Sequence, residues 1–151
     1  MFTFLLLLFF IGERLFTEFK GAFSENYVLQ AISRQLELSP RYWAENNPPH
    51  EVDFIVQIGN DVIPIEVKAG KNVESRNLKI YQEKFSVFVK IRVRFSLNNL
   101  KFDWNVLNIP LFMADEAVRS IKFAFDKQKI CYGHGGGRTH RPFRVKEVLS
   151  R

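Results

Sequence analysis

The sequence predicts a single α/β domain built on a mixed sheet, and three observations support this fold class. The chain of 151 residues is long enough to bury one core, and its 16 Phe predict bulky packing. Two runs rich in Val and Ile flank Gly59 and Asn60, which is typical of an antiparallel hairpin. A helical pattern then separates this hairpin from an alternating strand, which predicts a βαβ unit with parallel strands.

Three segments are expected along the chain: a hydrophobic stretch over residues 1–20, a domain over 21–125 and a tail over 126–151. The first stretch has about ten apolar residues between Met1 and Ile11, whereas a membrane-spanning helix needs about 20. It also lacks the positive start of a secretory signal, so we interpret it as a buried segment or the remnant of a longer protein. The tail is basic and rich in Gly, and we expect it to be disordered.

The first helix is predicted over Gly21 to Leu38, with Ser24 as its N-cap. One stripe of this helix carries five residues at helical spacing: Glu25, Val28, Leu29, Ile32 and Leu36. Glu25 therefore lies along the face that we expect to be buried. The alternative is an N-terminal acid that complements the helix dipole. A short edge strand is predicted next, over Arg41 to Ala44.

The register of the hairpin from Glu51 to Lys68 follows from its turn, because side chains alternate between the two faces of a strand. Counting outward from Gly59 and Asn60 places six apolar residues on one face: Val52, Phe54, Val56, Ile63, Ile65 and Val67. The same count places Asp53 opposite Glu66 on the other face, with Glu51 opposite Lys68.

Two carboxylates held about 5 Å apart between Cβ atoms repel each other unless a cation lies between them. Mg²⁺ or Mn²⁺ would bind Asp53 and Glu66 and keep waters as its other ligands. Lys68 could then orient a water or stabilise charge on a phosphate. The alternative is a solvated hairpin face with a salt bridge from Glu51 to Lys68, worth under about 1 kcal/mol. We interpret His50 as a loop residue rather than a metal ligand.

Three further elements follow the hairpin. A crossover helix is predicted over Ser75 to Phe85, and an alternating strand over Val87 to Ser96. Another strand is predicted over Val106 to Ile109. A terminal helix then runs from Pro110 to about Phe125.

The hairpin residues resemble the signature of PD-(D/E)XK nucleases: Asp53, then Glu66-Val67-Lys68 on the next strand, with Val52 where the signature often has Pro. The wider sequence from Gly21 to Met113 is similar to domain of unknown function 4143, a nuclease-like domain that follows an AAA-type ATPase domain in many prokaryotic proteins. The similarity rests on these runs: ENYVLQ, RYW, EVDFIV, IPIEVKAG and NIPLFM.

This resemblance implies a restriction-endonuclease-like core and Mg²⁺- or Mn²⁺-dependent cleavage of DNA. It implies metal binding by Asp53, Glu66 and Glu25, and catalysis by these three acids with Lys68. The resemblance equally allows a non-catalytic module that binds nucleic acid or protein and partners an ATPase domain. The sequence contains no G-x-x-x-x-G-K-[ST] motif, so we expect no P-loop in this chain.

The net charge of +6 lies mostly in the tail, whose seven Lys or Arg and two acids give +5. The domain itself offers only a modest basic cluster at Lys90, Arg92 and Arg94, which we interpret either as a nucleic-acid contact or as a solvated strand face. Cys131 is the one cysteine, which excludes an internal disulfide and favours a reducing, cytoplasmic location. No membrane partner is expected, because the N-terminal apolar stretch is too short to span a bilayer.

Overall fold

A computed structural model describes residues 20–70 and 74–133 of the chain. Within these ranges it confirms the predicted α/β class, with a six-stranded mixed sheet and three α-helices. The elements in chain order are α1 (Lys20–Ser33), β1 (Arg41–Asn46), β2 (Pro49–Ile58), β3 (Asp61–Lys68), α2 (Arg76–Lys84), β4 (Arg92–Ser96), β5 (Lys101–Asp103), β6 (Val106–Pro110), a 3-10 helix (Leu111–Glu116) and α3 (Ala117–Gly133).

The strand order in the sheet is β1-β2-β3-β4-β6-β5. The first three strands pair antiparallel, β4 pairs parallel with both β3 and β6, and β5 closes the sheet antiparallel to β6. The parallel pairing of β3 with β4 across helix α2 was predicted and is confirmed. None of the helices in the described ranges is long and apolar enough to cross a membrane.

Apolar clusters cover both faces of the sheet. The larger cluster packs α1, the 3-10 helix and α3 against alternate residues of the central strands, including Ile63, Ile65, Val93, Phe95 and Leu107. The smaller cluster packs α2 against the opposite face, where Leu78 and Tyr81 contact Val52 and Val89. The sheet is therefore the middle layer, with helices packed on both of its faces.

The predicted hairpin register is confirmed near the turn, where Val56 pairs with Ile63 and Phe54 with Ile65. Gly59 has a positive φ of 62°, which is the conformation that a Gly-Asn turn predicts at this position.

The placement of Val52 on the same face as Phe54 and Val56 was wrong. Strand β1 pairs Trp43 with Val52 but Arg41 with Ile55, so three steps along β2 match two along β1. This β-bulge shifts the alternation by one residue. Val52 consequently packs with α2 in the smaller cluster, whereas Val56 lies in the larger one.

Several element boundaries differ from the sequence prediction. Helix α1 ends at Ser33, five residues before Leu38, and Ser24 lies buried inside the helix rather than capping it. The residues from Val87 to Ile91 are not in a strand, because the backbone N–H groups of Phe88 and Val89 bond to the carbonyl of Phe85 and form a turn. This turn brings the chain back to the sheet after α2. Strand β5 was not predicted.

The terminal helix also differs from its prediction. A 3-10 helix precedes it, and α3 continues to Gly133 instead of ending near Phe125. Residues 126–133, which we assigned to the tail, are therefore helical, and Gln128 donates a hydrogen bond to Asn105. The predictions for residues 1–19 and for the tail from 134 onward lie outside the described residues.

Candidate functional site

A row of polar side chains crosses the sheet near the C-terminal ends of its parallel strands. Glu66 on β3 pairs in register with Arg94 on β4, and Arg94 pairs with Asn108 on β6. The residues that alternate with them belong to the larger apolar cluster: Ile65, Val67, Val93, Phe95, Leu107 and Ile109. The polar row therefore lies on the opposite face, the face that α2 covers elsewhere. We call Asp53, Glu66, Arg94 and Asn108 the polar row.

Asp53 joins this row from the bulge in β2. The pairing of β2 with β3 extends as far as Phe54 and Ile65. Beyond this pair, the carboxylate Oδ2 of Asp53 accepts a hydrogen bond from the backbone N–H of Val67, with an N···O distance of 2.6 Å. A side chain thus satisfies a donor that a regular ladder would give to a backbone carbonyl.

The surroundings of Asp53 favour its protonated form. Burial raises the pKa of its carboxyl to about 6, and the nearby charges of Glu25 and Glu66 act in the same direction. The hydrogen bond from Val67 and the charge of Lys68 oppose this shift without cancelling it. The Asp53 carboxyl therefore gains or loses its proton around pH 6.

Glu66 is buried, with only 3% of its surface exposed. Its Oε1 forms an ion pair with Nζ of Lys68 at 2.8 Å, while Oε2 is buried and has no hydrogen-bond partner among the described residues. Burial lowers the pKa of Lys68, but the hydrogen bond to Glu66 and the surrounding acids outweigh it and raise the pKa above the usual value. Lys68 is therefore a cation at neutral pH and cannot act as a general base.

Glu25 on helix α1 acts on the same group through its charge. It is half-buried, as its position on the helical stripe predicted, and its charge acts on both Asp53 and Lys68. In the described part of the chain, however, no three His, Cys, Asp or Glu side chains are close enough together to hold one metal ion. The structure thus brings Glu25, Asp53, Glu66 and Lys68 into one electrostatic group, and the three-acid metal site stays a prediction.

A comparison with protein families shows which family the chain belongs to. The family described as Domain of unknown function (DUF4143) matches residues 20–112, from the start of α1 to the 3-10 helix. The chain belongs to the DUF4143 family. The matched region contains the whole polar row together with Glu25 and Lys68. No curated protein matches the chain.

The sequence-predicted alternatives around this DUF4143 site have different outcomes. Lys68 pairs with Glu66 and not with Glu51, so the predicted surface salt bridge was wrong. His50 lies in β2 rather than in a loop, and its Nδ1 is 3.3 Å from Oδ1 of Asn77. The members of the predicted basic cluster have separate partners. Lys90 forms an ion pair with Asp61, and Arg92 donates a hydrogen bond to the carbonyl of Trp104.

Sequence reasoning missed the part of the polar row that lies beyond the hairpin. Arg94 was interpreted as part of a basic cluster, either a nucleic-acid contact or a solvated strand face, and Asn108 was noticed only within the NIPLFM run. A usable signal existed in both strands, because each residue is a polar position between apolar neighbours, Val93 and Phe95 for Arg94, and Leu107 and Ile109 for Asn108. The pairing of these two strands with β3 was needed to place them beside Glu66.

Proposed function

We propose that this DUF4143 domain is a metal-dependent hydrolase of phosphodiester bonds in DNA, of the PD-(D/E)XK type. The observation that carries the proposal is the carboxylate of Glu66, which is buried with one oxygen lacking a partner beside Asp53 and Lys68. An unsatisfied buried polar atom costs roughly 1–3 kcal/mol, and more when it is charged. A bound cation beside Glu66 would remove this cost.

The donor set fits a hard divalent cation. Carboxylate oxygens are the preferred ligands of Mg²⁺ and Mn²⁺, and Oε2 of Glu66 is an acceptor that a cation would satisfy. Asp53 would supply a second carboxylate, and Glu25 would add negative potential from α1. When bound, the metal would activate a water and neutralise charge on the phosphate.

The chain's own groups would divide the remaining tasks. The acids around Lys68 keep it protonated. Its positive charge would stabilise the negative charge that develops on the phosphate during cleavage. The hydrogen bond from Val67 fixes the orientation of the Asp53 carboxylate. Because Asp53 has a pKa of about 6, it loses its proton on ligating a cation below that pH.

A second function is favoured by the ion pair between Lys68 and Glu66, whose 2.8 Å contact lets the two charged groups satisfy each other. In that case the fold serves as a non-catalytic module that binds nucleic acid or protein, and an ATPase domain is the expected partner. The two functions can be distinguished by replacing Lys68, because only the hydrolase would lose a cleavage activity.

The decisive experiment is cleavage of plasmid and single-stranded DNA with Mg²⁺ or Mn²⁺. We expect Asp53→Asn, Glu66→Gln and Lys68→Gln each to lower the rate by roughly a hundredfold or more. Strand β5 provides a matched control, because Lys101 and Asp103 form an ion pair with the same spacing of two residues, also at 2.8 Å. Lys101→Gln and Asp103→Asn should leave the rate unchanged. Absence of cleavage with both metals and both substrates would exclude the hydrolase and leave the interaction module.

A further inference from the structure

The polar row continues past the acids, and its far end is held by an unusually complete network. The side chain of Asn108 is buried, and its Oδ1 accepts hydrogen bonds from Nε of Arg94 at 3.1 Å and from Oγ of Ser96 at 2.7 Å. Its Nδ2 donates to the backbone carbonyls of Asn98 at 3.1 Å and Asn99 at 2.9 Å. All four hydrogen-bonding positions of the amide are therefore used.

This network fixes the side chain of Arg94. The bond from Nε to Asn108 orients the plane of the guanidinium, and the loop after β4 fixes Asn108 in turn. Arg94 is half-buried and next to Glu66 in register, and its charge interacts with that carboxylate. An arginine held in this way keeps its donors in one geometry, so it loses little entropy when it binds an anion.

The charges along the row are separated by sign. The acids Asp53 and Glu66 lie on β2 and β3, and the charge of Glu25 on α1 acts on Asp53. The cations lie on β3 and β4: Lys68 forms its ion pair with Glu66 on the same strand, and Arg94 lies beside Glu66 in register on the next strand. A cation is favoured at one end of this arrangement and an anion at the other. A phosphodiester with a bound divalent metal presents both charges to such a site.

We propose that Arg94 forms an anion-binding subsite that holds a phosphate group of a nucleic-acid strand, next to the acids of the same site. This inference rests on the proposed function for its choice of substrate class and deepens it. The subsite differs from the acid group in chemistry, because a guanidinium donates hydrogen bonds to phosphate oxygens whereas carboxylates bind a cation.

Arg92 offers a matched control for Arg94. It lies two residues earlier on β4, which places it on the same face of the sheet. Both arginines are half-buried, and burial lowers the pKa of both guanidinium groups. Their acidic neighbours differ, because Arg92 interacts with Glu83 on α2 whereas Arg94 interacts with Glu66. Removing either charge changes the net charge equally, but only Arg94 lies beside Glu66 in register.

The test is binding of a short fluorescent oligothymidylate to the full chain in Ca²⁺, followed by anisotropy at several salt concentrations. We expect Arg94→Gln to raise the Kd roughly tenfold to a hundredfold and to reduce the slope of log Kd against log salt by about 0.7. Arg92→Gln should stay within about twofold of wild type. Arg94→Lys should restore the slope but remain several-fold weaker, because ammonium lacks the planar fork. Inorganic phosphate should compete with the oligonucleotide for wild type more strongly than for Arg94→Gln.

Three results would overturn the proposal: no binding by wild type, equal losses for Arg92→Gln and Arg94→Gln, or no loss for Arg94→Gln. Circular dichroism shows whether each variant folds. If Arg94→Gln does not fold, Arg94→Lys decides, and an affinity equal to that of wild type would refute the subsite. Arg94-dependent binding without any cleavage would refute the hydrolase alone. Cleavage with unchanged binding by Arg94→Gln would refute the subsite alone.

Discussion

The carboxylate of Asp53 accepts the backbone N–H of Val67 across the two strands of the hairpin, at 2.6 Å. This hydrogen bond takes the place of a backbone hydrogen bond between β2 and β3 at the bulge in β2. A side chain of the candidate site therefore also helps to hold the two strands together. Asp53 is consequently both a structural acceptor and a candidate metal ligand. These two roles respond differently to substitution, so they can be separated.

Asp53→Asn should be at least as stable as wild type at pH 7.5, because the amide oxygen still accepts the Val67 N–H and the variant carries no partly buried charge. Asp53→Ala removes the acceptor and leaves a partly buried donor unpaired, which we expect to cost about 1–3 kcal/mol. Equilibrium urea denaturation at pH 7.5 measures both differences. Asp115→Ala is a control on the exposed surface. Equal losses for Asp53→Asn and Asp53→Ala would show that the hydrogen bond is not the cause.

The stability of the domain should depend on pH through Asp53. Its carboxyl has a pKa of about 6 in the folded protein, against an ordinary value of 3.8. The folded state therefore binds more protons than the unfolded state between these values, and the stabilisation present below about pH 4 is lost as the pH rises through about 6. Since Asn does not titrate, the stability of wild type relative to Asp53→Asn should fall by about 1–2 kcal/mol from pH 4 to pH 7, after discounting for solvent screening. A constant difference would contradict this assignment.

Divalent cations should raise the melting temperature of the domain. Binding to the folded state alone stabilises by RT ln(1 + [L]/Kd), so millimolar Mn²⁺ gives a shift of a few degrees if the Kd lies about tenfold below that concentration. Asp53→Asn and Glu66→Gln should lose most of this shift, whereas Asp103→Asn should keep it. Below pH 6 the binding should also release protons, which calorimetry in two buffers of different ionisation enthalpy detects. An equal shift in all variants would place the ion elsewhere.

Asn108→Ala should be among the more destabilising polar substitutions, costing roughly 2–3 kcal/mol. The change removes the acceptor of Ser96 and Arg94 and both donors to the loop carbonyls of Asn98 and Asn99. Asn98→Ala is the control, because Asn98 is exposed and contributes its backbone to the network. Thermal and urea unfolding give the comparison, and similar values for both variants would exclude the network as a major contribution.

Two truncations should show how much the end of helix α3, and the residues after Gly133, each contribute to stability. Ending the chain after Phe125 removes Gln128, which donates to Asn105 at 3.1 Å and to the carbonyl of Lys90 at 3.5 Å. It also removes the last eight residues of α3, so we expect a loss of roughly 1–2 kcal/mol. Ending the chain after Gly133 should leave the melting temperature within about 2 °C. Equal melting temperatures for the two truncations would show that the last two turns of α3 add no stability.

Much of the fold could be predicted from local patterns. The hairpin, the crossover helix and the parallel strand each carry their own signal: a Gly-Asn turn, a helical spacing and an alternation of apolar residues. These signals depend on neighbours within a few positions of the chain. They therefore placed Asp53, Glu66 and Lys68 on adjacent strands, and they placed Glu25 along a partly buried helical stripe.

The bulge and the polar row were decided only by the tertiary structure. The bulge depends on the register between β1 and β2, which a run of apolar residues does not specify, so the sequence count put Val52 on the wrong face. Arg94 and Asn108 come from strands 28 and 42 residues after Glu66, and only the parallel pairing of β3, β4 and β6 places them in line. The long-range pairing also set the proton affinity of Asp53, because burial and the charges of Glu25 and Glu66 exist only once the sheet and helix α1 have assembled.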